Sequence, residues 1–279
     1  MIPLHLLHWQ PRQRRKFRMQ RIVSKDNKRI KRLKGLAQKK VRIRENLFLI
    51  EGVKMVDEAM SSGLHIDIVA SSDSFAAIHQ DLLDAYENQG HEVIVVSDDI
   101  FAGISSLVTP QGVLAAVIMN ESTIDDIISK GKAVVLLDGI SDPGNLGTIM
   151  RTADAFGFSG ILMTGSCVDI YNPKTVQATM GSILRVSHSY MEYGDAAGLK
   201  DAGYTLYGFD LKGECLGPGY KFAGKSALII GNESTGISAE LLSLCDELVK
   251  IPMSGNAESL NAAIAAGIAM FLAGGYGKI

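Results

Sequence analysis

Asn145 and Arg151 flank the junction between an apolar β-type run at 134–137 and a helix-patterned segment. An arginine keeps its proton. Arg151 therefore suits holding a phosphate or a developing oxyanion. Its local alternative is an ion pair with Asp154, one helical turn on. Asn145, at the helix entrance, suits capping or orienting a ligand. A carboxylate, Glu233, follows a second apolar run in LIIGNESTG. Gly231 and Gly236 beside it permit close backbone approach to a ligand. The local alternative for Glu233 is an acid favoured by the dipole of the helix ahead. A third loop, IPMSGNAESLN, brings Ser259, Leu260 and Asn261 to a helix start. There too, polar groups can cap the helix or bind a substrate.

The elements that must carry these groups alternate. From residue 133 on, strands are expected at 134–138, 160–164, 204–209, 226–230 and 247–252. Helices are expected at 147–157, 172–181, 195–202, 238–244 and 258–273. Such alternation makes a mainly parallel sheet covered on both faces. In open α/β sheets, ligands bind outside the strands' carboxyl ends. Ahead of this lie expected strands at 48–52, 66–71, 93–98 and 113–118, with a helix at 53–63. The expected divisions are a basic N-terminal extension with a helix (1–44), a small α/β domain (45–118), a polar linker (119–132) and the parallel-sheet domain (133–279). The last helix is rich in small residues, including Ala262, Ala266 and Gly267. It reads as part of a homodimer contact, because small residues let another backbone approach closely.

Charge is unevenly spread. Residues 1–44 hold 16 Lys and Arg against one acid, Asp26, while the remainder holds 12 against 29. A basic arm on an acidic body points to an anionic partner, most commonly nucleic acid. Residues 21–44 place Ile30, Leu33, Leu36 and Ala37 at helical spacing and read as one cationic amphipathic helix. The 3 cysteines are scattered, with no Cys-x-x-Cys pair, and the 6 histidines show no ligand spacing. No metal site and no disulfide framework are expected, and a reducing cytoplasm suits the chain. Residues 2–9 are apolar but too short for a signal peptide. The uncharged run 262–275 is too short for a bilayer, so no membrane role is expected. Gly219 to Ser226 satisfies the P-loop pattern, but ALIIG after Ser226 reads as a strand. A phosphate loop needs a helix there.

The segments NLGTIMRTADAFG, LIIGNESTG and IPMSGNAESLNAAIAAG together resemble, in order and spacing, the three motifs of the SpoU (TrmH-type) RNA ribose 2′-O-methyltransferases. The resemblance covers residues 133–279. More weakly, EGVKMVDEA resembles the family's ribosomal-protein-like substrate-binding domain. It implies a parallel sheet with a trefoil knot (the SPOUT type), S-adenosylmethionine as cofactor and a homodimer. Under it, Gly231, Ile251, Met253 and Leu260 meet the cofactor. Asn145, Arg151, Glu233, Ser259 and Asn261 form the catalytic and substrate-orienting set. The implied substrate is RNA, ribosomal before transfer. The alternatives are a transfer-RNA ribose methyltransferase and a non-catalytic RNA-binding or assembly factor on the same fold. Between the first two motifs Lys174 matches the family. Gln177 and Thr179 stand where members often carry Arg and Ser, which puts one phosphate contact in doubt.

Overall fold

The structure is a computed structural model and describes residues 19–217 and 219–274. Residues 2–9, read above as too short for a signal peptide, lie outside the described residues. The first half runs β1 (Gln20–Ile22), α1 (Lys28–Gly35), α2 (Lys39–Glu45), β2 (Leu47–Glu51), α3 (Val53–Ser61), β3 (Ile66–Ser72), α4 (Asp73–Ile78), α5 (Gln80–Asn88), β4 (Val93–Val96), α6 (Asp98–Ala102) and β5 (Val113–Ile118). The second half runs α7 (Ile124–Ile128), β6 (Val134–Leu137), α8 (Pro143–Ala155), β7 (Ile161–Thr164), α9 (Pro173–Ala178), β8 (His188–Met191), α10 (Asp195–Asp201), β9 (Thr205–Cys215), β10 (Ser226–Ile230), α11 (Ala239–Leu244), β11 (Glu247–Lys250) and α12 (Ala262–Ala273).

The chain forms two compact units. Of the described residues, one unit takes those up to Leu36 together with Leu49–Ile118; the other takes Ala37–Phe48 and those from Met119 on. The stretch 21–44, expected as one helix, is instead the end of a strand and two helices. Gly35 ends α1, since glycine is costly in a helix interior. Gln38 then re-enters extended geometry before α2. Residues 119–132, read as a linker, hold α7. A Thr123–Asp126 capping box opens it, and Ile127 is fully buried.

In the N-terminal unit the sheet order is β1-β4-β3-β5-β2. The pairs β1/β4 and β3/β4 are parallel, and β3/β5 is antiparallel. Beyond β2 the chain fills its own crevice. Gly52 has φ +98°, and a Cβ there would sit 2.4 Å from the Gln111 side-chain oxygen. The Glu51 carboxylate accepts the Ser105 hydroxyl at 2.6 Å, and burial raises its pKa.

In the C-terminal unit the order is β11-β9-β10-β6-β7-β8, with every neighbouring pair parallel. Residues 134–137 are wholly buried, as a strand covered on both faces requires. The edge strand β8 is absent from the sequence reading, because His188, Ser189 and Tyr190 break the apolar pattern. His188 is buried, and burial lowers its pKa. Tyr171 shares a hydrogen bond of 2.9 Å with His188 Nε2 and accepts the Asn120 amide at 3.1 Å. Helix α2 is fixed in this unit by a buried ion pair between Arg42 and Asp169. The Phe48 ring lies 4.8 Å from that of Tyr171.

Candidate active site

The first strand-to-helix junction is built by Asp142, which caps α8 by accepting the Asn145 amide at 2.8 Å. Pro143 stands in the first turn, where its missing N–H costs nothing. The cap therefore belongs to Asp142, and the Asn145 side chain is free for other work. Its amide nitrogen donates to the Glu233 carboxylate. Its oxygen accepts from Asn261 Nδ2 at 3.0 Å. Asn261 caps α12 with its own oxygen, taking the amides of Ala263 at 3.0 Å and Ile264 at 3.3 Å. Residues from three separated loops thus form one hydrogen-bonded chain, Glu233–Asn145–Asn261.

The loop after β10 closes on itself. Asn232 and Gly236 exchange backbone hydrogen bonds of 3.1 and 2.9 Å. A Cβ on Gly231 would lie 2.3 Å from the Gly236 carbonyl carbon, so only glycine fits. The Asn232 side chain donates to the Gly139 carbonyl at 2.8 Å, tying this loop to the end of β6.

Beside the loop is a cavity of about 380 Å³. Gly231, Ile251, Met253 and Leu260 line it, as do Glu233 and Ser259. The sequence reading missed other lining residues: Phe209, Asp210 and Lys212 from β9, and Lys250 from β11. Their signal is weak, because DLKGE after the apolar YGF reads as a loop, whereas β9 continues through it to Cys215.

Arg151 is not among the lining residues. It is exposed on α8 and has no hydrogen bond or ion pair among the described residues. The pairing with Asp154 does not form. Asp154 instead takes Arg185, at 2.5 and 2.9 Å, and the Ser182 hydroxyl, at 2.8 Å. Lys174 and Gln177 are exposed on α9, whereas Thr179 is buried and bonds the Val176 carbonyl at 2.6 Å. Thr179 thus serves packing here.

Among the described residues no cysteine lines the cavity. Burial pushes the Cys245 thiol up to about 11 and raises that of Cys167. Reactive thiols show the opposite shift. Among the described residues no group of three or more His, Cys, Asp or Glu is placed to hold a metal ion. Ser226 begins β10, so the P-loop pattern lies in the wrong structural context.

Residues 132–271 match the model of the SpoU rRNA methylase family. Residues 27–115 match that of the MRM3-like substrate binding domain. The chain is 35% identical to the Bacillus subtilis 23S rRNA (guanosine(2553)-2′-O)-methyltransferase RlmP, over 91% of this chain and 98% of that protein. Among solved structures, an AdoMet-bound rRNA methyltransferase from Sinorhizobium meliloti superposes with a TM-score of 0.80 at 32% identity, over 91% of this chain and 96% of that one. The SpoU methyltransferase AviRb from Streptomyces viridochromogenes, in complex with AdoMet, gives a TM-score of 0.81 at 30% identity, over 90% and 98%.

Proposed function

The chain belongs to the SpoU rRNA methylase family, and from that premise we propose that it methylates a ribose 2′-hydroxyl of ribosomal RNA, using S-adenosylmethionine. The observation that carries this reading is the cavity, in which the glycine-closed loop, the Glu233 carboxylate and the apolar Ile251, Met253 and Leu260 lie together. These residues suit the cofactor. Ile251, Met253, Leu260 and Phe209 offer apolar surface for a flat base. Gly231 lets backbone come close, and the four charged lining residues suit a zwitterionic tail. When bound, S-adenosylmethionine supplies a methyl group already activated on a sulfonium.

The protein's own tasks are then alignment and proton handling. Glu233 is exposed, and Asn145 engages one of its oxygens. The other oxygen is left to accept the 2′-hydroxyl proton. Asn261 holds Asn145, and so fixes the carboxylate from behind. Arg151, unpartnered among the described residues, binds the neighbouring RNA phosphate and steadies the emerging alkoxide. Ser259 orients the ribose at the cavity edge.

The N-terminal unit presents the RNA. Lys31 and Lys34 of α1 are exposed there, and Lys39, Lys40 and Arg44 of α2 are exposed on the C-terminal unit. Phosphate contacts of this kind dominate affinity and weaken with salt. The enzyme acts as a homodimer in the cytoplasm. Support for the dimer is the outward face of α12, where Ile264 is 55% and Phe271 39% exposed, seven residues apart on one side. The trefoil knot implied by the resemblance is part of this reading. It is supported by the convergence of the loops after β10 and β11 on one cavity.

The test is methyl transfer from labelled donor to ribosomal RNA, with the product nucleotide mapped by ribose-methylation sequencing. Turnover of Glu233→Gln at the wild-type rate would remove the carboxylate from the proton path. Absence of donor binding by the wild type would overturn the function itself.

A further inference from the structure

Behind the cavity lies a buried carboxylate that the chemistry above does not use. Asp138 follows β6 and is only 4% exposed. Its Oδ2 accepts the Ser238 amide at 2.7 Å. Its Oδ1 accepts the Thr164 hydroxyl at 3.1 Å, and the Tyr193 hydroxyl approaches at 3.5 Å. The Ser238 amide is an obligate donor and both hydroxyls can donate, a set that an ionised carboxylate can accept in full. Among the described residues no cation pairs with it. A buried charge without a counter-ion is costly, and its field is felt by the groups around it.

Those surroundings adjoin the loop that walls the donor cavity. Ser238 lies two residues beyond Gly236, which lines the cavity. At the other end of that loop, Asn232 bonds the carbonyl of Gly139, the neighbour of Asp138. The charged lining residues are Asp210, Glu233, Lys212 and Lys250, so their formal charges cancel. Asp138 adds one further negative charge, held on the loop that borders the cavity. Its chain neighbours Leu137 and Ile140, Ile230, whose carbonyl accepts the Asp138 amide, and Ile237, next to Ser238, are all buried. In such a medium a charge acts over longer distances than in water, and salt screens it little.

We propose that Asp138 is an electrostatic selector, whose uncompensated charge behind the 231–238 loop favours the cationic methyl donor over the neutral thioether left after transfer. This rests on the donor reading above. The two ligands share nearly all their atoms and differ by one methyl group and one positive charge. Apolar contacts in the cavity treat both alike and the formal charges of its lining sum to zero, whereas one further fixed anion separates the two ligands by charge. Asp138 thus helps exchange spent cofactor for fresh. It is a positioning residue, since it touches the loop and not the reacting atoms.

The Asp138→Asn variant isolates the charge. Its oxygen keeps the Ser238 amide. Its nitrogen faces Thr164 Oγ1, which can accept while donating to Ser166 Oγ, 2.8 Å away. Full-length protein is titrated calorimetrically with S-adenosylmethionine and with S-adenosylhomocysteine. The expected result is an affinity for the first about tenfold weaker and an affinity for the second within about twofold of wild type, at both low and high salt. Equal weakening of the two ligands, or an unchanged ratio, overturns the proposal. Asp138→Ala removes the loop anchor as well and weakens both ligands. Should its ratio shift while that of Asp138→Asn does not, loop shape is responsible and the charge is not. If the asparagine variant does not fold, wild type is titrated with an aza analogue carrying an amine in place of the sulfonium. The same titration is run on Glu233→Gln with Asp210→Asn; binding must raise the amine pKa in both proteins, and a rise that vanishes with the two lining carboxylates, or none in wild type, overturns the proposal. Wild type that binds neither ligand defeats the donor reading itself, an outcome distinct from a preserved ratio.

Discussion

In the N-terminal unit the glycines at the sheet edge are packed against the chain's own side chains, while in the C-terminal unit the corresponding glycine loop borders open space. A Cβ on Gly112 would meet the Phe75 side chain at 2.6 Å, and one on Gly52 would meet Gln111. At Gly231 the obstacle is backbone from the loop's own far end, and a cavity lies beside it. Glycine at a strand end is therefore not itself the sign of a ligand site. In one unit it makes room for a neighbour that stabilises the fold. In the other it shapes a loop that can wrap a ligand. The polar groups follow the same division. Glu51 is turned inward onto Ser105, whereas Glu233 is exposed at the cavity.

The sharpest attack on this contrast is at Arg151. Arg151→Ala should lower kcat for methyl transfer by about a hundredfold or more and leave the melting temperature nearly unchanged, because the side chain is exposed. A loss confined to KM for RNA would reduce its role to binding. Next comes a matched pair of glycine substitutions. Gly231→Ala should weaken S-adenosylmethionine binding by about tenfold or more, with a stability loss of about 1–3 kcal/mol. Gly112→Ala, at φ +84°, should cost similar stability by thermal unfolding while the donor affinity holds. Equal donor binding in both variants would erase the distinction between the units.

A smaller effect is expected from Lys39→Glu with Lys40→Glu. RNA affinity should fall several-fold, and the slope of log K against log salt should flatten by about one per lost phosphate contact. Donor affinity should not move. Smallest is the response to acid. His188 has its pKa lowered by burial from 6.5, so the folded state binds its proton less readily than the unfolded chain does. Its contribution is therefore complete above the unfolded value and is lost as pH falls below about 6.5 toward the folded value. The melting temperature should drop between neutral pH and about pH 5, and by less in His188→Gln.

The C-terminal unit was more legible in sequence than the N-terminal one. Residues 134–137 and 227–230 are continuous apolar runs, closed by Asp138-Gly139 and by Gly231-Asn232, so pattern and punctuation agree. Strand β8 was hidden by its polar residues, which an edge position tolerates because only one side is paired. In the N-terminal unit α4, α5 and α6 were not anticipated. They are short, and their caps Ser72 and Ser97 lie in stretches without a long apolar period. At the site, the residue types of Asn145, Glu233 and Asn261 were visible, but their mutual hydrogen bonds were not. Those bonds join residues as far apart as 116 positions, and no local pattern encodes such a pairing. The assignment of the α8 cap to Asp142 was likewise decided by geometry.

The placement of residues 37–48 with the C-terminal unit bears on domain exchange. A chimera cut after Ile118 would carry α2 away with the wrong half and leave the largely covered Asp169 without its buried arginine, a loss of up to about 3–5 kcal/mol when such a pair is broken. A working graft would have to exchange two stretches of chain and leave residues 37–48 in place. The same interleaving links inheritance of the two halves: a recombination event that swaps one without the other meets a folding penalty before any question of substrate arises.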